Sequence, residues 1–212
     1  MIKNDIEEFL DYTKNELTKN NVKLKLSNTE KLKLRNGIFC SGYFDTERED
    51  NIILACAINK PLHQWFMVYL HEYGHFMQWK DNSFYFDKKD KRYIKSDEII
   101  DNWIDGKNYP QDIIIKAIRF IQKCELDCEK KVVKLIKKFN FPIDIGEYIQ
   151  EANSYIHFYN YVLIRRKWIP KRSPPPYEIK NIKKIFPKRF MNNLDMININ
   201  FINLLDKEYK YV

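Results

Sequence analysis

Three residues in the stretch VYLHEYGHFMQW, 68 to 79, are of types that do chemistry: His71, Glu72 and His75. On a helix, residues four apart point about 40° from each other. His71 and His75 therefore offer two imidazoles on one face to a single metal ion. Glu72 lies one step round, where a carboxylate can take a proton from water without ligating the metal. A His-Glu-x-x-His helix is the arrangement that holds Zn²⁺ beside a general base. The competing reading is a buried helix that carries two histidines by accident.

The surroundings of the three residues favour the first reading. Pro61 suits a helix start, and the segment from Leu62 to about Lys80 has no breaker except Gly74. Apolar residues surround the histidines almost all round, as in a buried helix. Glycine costs a helix interior about 1 kcal/mol, so Gly74 points to close approach of another element. Ahead of this helix, VKLKL (22–26), KLKLR (31–35), IFCSGYF (38–44) and IILACAI (52–58) read as strands, with Asn36-Gly37 as a hairpin turn. An antiparallel meander is expected. Residues 2 to 18 form an amphipathic helix by spacing. Residues 81 to 95 read as a loop and 97 to 105 as a short helix. Long helices are expected over 111 to 138 and 144 to 167, with another at about 190 to 207.

A catalytic zinc needs a third protein ligand and leaves one position for water. A third histidine just downstream is excluded, because the required positions hold Gln78 and Asp81. A carboxylate from a later helix remains, with Asp97, Glu98, Glu125, Asp127, Glu129, Glu147 and Glu151 as candidates. The stretch CELDCE, 124 to 129, singles out Glu125 as the ligand. Glu129, one turn on, is placed to accept a hydrogen bond from the far nitrogen of a ligating histidine. The plainer alternative is an acidic helix edge paired with Lys130 or Lys134.

The 212 residues, 44% hydrophobic and 15% aromatic, suffice for a packed core. With five glycines and no GxGxxG or GxxxxGK[ST], a glycine-rich phosphate loop is excluded. Cys40, Cys56, Cys124 and Cys128 form no CxxC pair and read as reduced core residues. No signal peptide or membrane-spanning run is seen, so an intracellular protein without membrane contact is expected. The net charge of +8 is concentrated in residues 164 to 189, which hold ten Lys or Arg against one Glu. That segment reads as a solvated surface, or as a contact for nucleic acid or an acidic partner.

HEYGH with ELDCE downstream resembles the gluzincin metallopeptidases, which pair HExxH with a later ExxxD-type helix. Here Glu129 stands where that pattern has Asp, which keeps the carboxylate and lengthens its reach. The order SGYF, HEYGH, ELDCE and EANSY is also similar to that of small metallopeptidases of phages and large DNA viruses, over most of residues 38 to 168. The resemblance implies an α+β, zincin-like fold: a small antiparallel-rich sheet on an active-site helix, with a mostly helical C-terminal half. It implies residues 1–168 as the metallopeptidase domain, with 169–212 as a basic, Pro-containing helical extension packed on it. If the chain is viral, its site of action is the host cytoplasm. The expected function is zinc-dependent hydrolysis of a peptide or protein substrate, with Zn²⁺ on His71, His75 and Glu125 and Glu72 as the base. Gluzincins often place a Tyr or His as oxyanion donor. The candidates are Tyr155, Tyr159 and His157; Tyr155 is preferred, although Tyr155 and Tyr159 also fit a core stripe. Substrate is expected to add as a strand to the sheet edge. The alternative is a catalytically idle zincin-like module that binds nucleic acid or an acidic partner through 164–189.

Overall fold

The structure is a computed structural model that describes residues 2–34, 37, 39–47, 51–85, 92–170 and 173–209. The chain is mixed α+β and mostly helical, and it divides into two compact units. The first comprises residues 1–84 and 130–142, the second 85–129 and 143–212.

In the first unit, α1 (Ile2–Lys19) buries Ile6, Phe9, Thr13 and Leu17 along one stripe and packs on β1 (Val22–Ser27). A separate pair, β2 (Leu32–Lys33) and β3 (Phe39–Cys40), is antiparallel. The main sheet has the order β1-β5-β4, with β4 at Gly42–Asp45 and β5 at Ile52–Ala57. β5 is buried along Ile53–Ala57, as suits the central strand.

The expected antiparallel meander is corrected here. β4 runs antiparallel to β5, but β1 pairs with β5 in parallel, Val22 opposite Ile52 through Ser27 opposite Ala57. Alternation of apolar and charged residues assigns faces, not strand direction. Parallel neighbours need a long crossover, and β2, β3 and β4 supply it. Gly37 has φ +84°, while its partner in the proposed turn, Asn36, lies outside the described residues.

Helix α2 (Leu62–Lys80) packs against β4 and β5. Its apolar side meets α1 in an aromatic cluster in which Phe9 contacts Phe66, Tyr69, Tyr73, Phe139 and Phe141 at 4.8–6.3 Å between ring centroids. Such edge-to-face contacts each add roughly 0.5–1.5 kcal/mol to the burial itself. Thr13 and Tyr69 share a hydrogen bond of 2.5 Å, which fixes the level of α2 against α1.

The second unit contains α3 (Arg92–Ile104), the greater part of α4 (Gln111–Lys138) and α5 (Ile145–Arg165). A 3-10 turn at Pro176–Glu178, α6 (Lys180–Lys183) and α7 (Ile199–Glu208) follow. Its core joins Ile114, Ile118 and Ile121 of α4 to Phe158, Tyr161 and Val162 of α5 and to Phe201 and Leu205 of α7. Each such side chain contributes about 1.5–3 kcal/mol by leaving water. Asp144 caps α5 by accepting from the Glu147 amide at 3.0 Å.

Two expected boundaries move. α3 starts at Arg92, so part of the expected 81–95 loop is helical. The expected 190–207 helix exists only from Ile199, because 190–198 is held in an irregular path by side chains of α5. Gln150 donates to the Phe186 carbonyl at 2.6 Å, and Asn153 to those of Pro187 and Arg189 at 3.1 and 2.9 Å. Asn153 also accepts from the Met191 amide at 3.1 Å, and Asn160 donates to the carbonyls of Leu194 and Met196. Among the described residues, no helix is long and apolar enough to cross a membrane.

Candidate metal centre

α2 carries the pair of histidines at adjacent turns of one face. Their Nε2 atoms lie 3.1 Å apart, with the rings at 89° and their centroids separated by 4.7 Å. The amide oxygen of Gln78 lies 2.9 Å from His75 Nδ1. An amide oxygen only accepts, so Nδ1 carries the proton and Nε2 keeps its lone pair, the tautomer a metal ligand needs. Gln78 is fully buried. In the sequence, Gln78 serves only to exclude a third histidine; the signal it offers for this role is its i,i+3 spacing from His75.

This arrangement fits zinc. Tetrahedral ligands with Zn–N of about 2.0–2.1 Å have nitrogens separated by about 3.3 Å, close to the observed spacing. Two imidazoles, with carboxylate or thiolate donors elsewhere in the chain, are also the donor types that zinc prefers.

Glu72 is 8% exposed and its stem lies against β4. A Cβ placed on Gly42 would come within 2.6 Å of Val68 Cγ1, 3.0 Å of Glu72 Cγ and 3.1 Å of the Ala55 carbonyl oxygen. The missing side chain lets the strand reach the helix at the level of Glu72. Gly42→Ala should therefore destabilise the fold by about 1–3 kcal/mol through overpacking, read as a lower urea midpoint. Burial, and next the Glu72 carboxylate, push the Cys40 thiol up to about 11 and raise that of Cys56 as well. Both therefore stay protonated, and none of the four cysteines is in a disulfide.

The second unit holds the carboxylate candidates. Glu125 and Glu129 sit one turn apart on α4, 2% and 7% exposed. The Tyr93 hydroxyl donates to Glu125 Oε1 at 3.3 Å, and the Tyr148 hydroxyl donates to Glu129 Oε2. Neither tyrosine announces a polar role in the sequence, because a phenol at core spacing reads as packing. Of the other candidates, Asp97 and Glu98 are exposed on α3 and Asp127 is half-buried on α4. Glu147 and Glu151 both accept from Lys183, at 2.8 and 2.6 Å.

α5 sorts the three oxyanion candidates onto two faces. Tyr155 and Tyr159 meet edge to face at 5.8 Å, and Tyr177 stands 5.9 Å from Tyr155. Burial raises the Tyr155 hydroxyl, and the Glu125 carboxylate adds to the rise, so Tyr155 lies within the field of Glu125. His157 faces another way, into a core network. Asn160 donates to its Nδ1 at 3.3 Å, and Arg119 donates to Gln122 and Asn160 at 2.5 and 2.6 Å. Its Nε2 has no hydrogen-bond partner among the described residues. Burial, then the Arg119 charge, lower its pKa to about 4.

None of the protein-family models, curated proteins or solved structures compared with the chain matches it.

Proposed function

We propose that the chain is a zinc-dependent metallopeptidase of the gluzincin kind, hydrolysing peptide bonds in a peptide or protein substrate. The observation that carries the reading is the pair of His71 and His75 Nε2 atoms at 3.1 Å, with the tautomer of His75 set by Gln78, next along the helix to a buried Glu72. An accidental pair of core histidines requires neither the convergence nor a dedicated acceptor.

The metal would be held by His71, His75 and a third ligand from α4. Glu125 is the candidate from sequence, and the buried Cys128, three residues on, is the other donor of suitable type. When bound, zinc lowers the pKa of a water toward neutrality and polarises the scissile carbonyl. The Glu72 carboxylate takes the proton of the attacking water and delivers it to the leaving amine. Tyr155 donates its hydroxyl proton in a hydrogen bond to the developing oxyanion. The substrate backbone adds to β4, the strand that Gly42 brings against Glu72, by strand pairing.

Part of the basic stretch is engaged internally. Arg165 pairs with Asp206 at 2.5 Å and Lys183 with Glu147 and Glu151. Arg166 donates to the carbonyls of Trp103 and Lys107 at 2.6 and 3.0 Å and stacks over the Trp103 ring. Arg165, Arg166 and Lys183 are thus engaged within their own unit.

Metal analysis tests the proposal. Wild type should carry about one zinc per chain, and His71→Ala and Glu125→Ala should lose it, while Cys128→Ser keeps it. Wild type that takes up no zinc would sink the reading. Loss in Cys128→Ser with retention in Glu125→Ala would move the third ligand to Cys128.

A further inference from the structure

The main sheet of the first unit ends at β1, and among the described residues no strand pairs with the outer edge of β1. An edge strand presents a row of unpaired N–H and C=O groups, a template for any extended chain that reaches it. Its side chains alternate between the two faces of the sheet. On one face, the partly covered Leu24 and the exposed Leu26 line a groove with Leu10, Asp11 and Lys14 of α1. On the other face stand Lys23 and Lys25, both exposed and neither in an ion pair among the described residues. Asp11 and Lys14 offset each other's charge at the groove, so the charge of this edge comes from Lys23 and Lys25. A chain lying beside β1 therefore meets an apolar face, a cationic face and a row of main-chain groups between them.

We propose that the β1 edge docks an extended segment of a partner protein in which apolar and acidic residues alternate. The segment adds as a strand beside β1. Its apolar side chains enter the groove against Leu10, Leu24 and Leu26, and its carboxylates stand across from Lys23 and Lys25. Opposite charges facing each other across a strand pair attract, and like charges repel. A slip of one residue would carry the acids into the groove and the apolar side chains among the lysines, so the register is fixed. The same lysines disfavour a second copy of this chain, because any register that joins the two grooves sets Lys against Lys. β1 and β4 are opposite edges of the sheet. The docking site is therefore separate from the strand assigned to substrate, and it does not depend on the zinc reading.

The probe is a short fluorescein-labelled peptide of alternating valine and glutamate, followed by fluorescence anisotropy on the full chain. It should bind, and its valine–lysine counterpart should not. Lys23→Glu combined with Lys25→Glu should weaken binding of the glutamate peptide at least about tenfold and admit the lysine peptide instead. Both positions are exposed, so the fold survives the change. N-methylation of the peptide amides should abolish binding without altering its charge, because strand addition needs those N–H groups. Equal binding of both peptides by wild type, or binding that survives N-methylation, would overturn the proposal. Failure of the glutamate peptide to bind would overturn it too, and would leave Lys23 and Lys25 as guards against edge-to-edge pairing. Wild type that dimerises, with the dimer lost in Leu26→Asp, would give the edge to a second copy instead. None of these outcomes bears on the zinc content of the chain.

Discussion

Glu72→Gln should leave the zinc content unchanged and lower peptide hydrolysis by roughly 10²–10⁴-fold, the range a general base contributes. Gln is nearly isosteric, so the contact with Gly42 and the packing under β4 survive. What is lost is the ability to take a proton from water and return it to the amine. The measurement is kcat/KM on a fluorogenic peptide library, with zinc quantified in the same preparation. Loss of zinc together with activity would mean that Glu72 supports the metal instead of moving protons. Full activity in Glu72→Gln would remove the residue from the chemistry altogether. An inactive wild type that still binds zinc would favour a metal-stabilised binding module over an enzyme.

The second large effect is on stability and comes from His157. Its pKa is lowered from 6.5 to about 4 in the folded chain by burial and by Arg119. Between those two values the unfolded chain binds a proton there that the folded chain does not. Stability is therefore fully present above about pH 6.5, falls as the pH drops, and levels off below about pH 4. The total change is about 3 kcal/mol, a large fraction of the roughly 5–15 kcal/mol that holds a typical domain. Urea midpoints measured from about pH 7 to about pH 4 should show the slope, and His157→Gln should flatten it. An equal slope in the variant would assign the acid sensitivity to other groups.

How much of this was legible in the sequence depends on which interactions carry the information. The limits of α2 and α4 were readable because Pro61, Pro110, Asn140 and Pro142 punctuate long apolar stripes. Burial of the His71–His75 helix was readable for the same reason. The direction of β1 was not, since side-chain alternation is blind to the partner strand. Tyr93 and Tyr148 have core spacing, and only tertiary structure gives their hydroxyls a carboxylate. The irregular path of 190–198 was hidden because its hydrogen bonds come from α5, 34–38 residues earlier in the chain.

That grip has a consequence for how the chain can change. Gln150, Asn153 and Asn160 address main-chain carbonyls and one main-chain amide of residues 186–196. A backbone offers the same groups whatever side chains it bears. The tail is thus freer to drift in sequence, apart from positions such as Phe186 and Leu194, which fill the core, and Asp195, which pairs with Arg119 at 2.6 Å. The three amides that hold it are not. Variation should accumulate on one side of the contact and be purged on the other, and a library randomised at the exposed Lys188 and Arg189 should fold where one randomised at Asn153 and Asn160 does not.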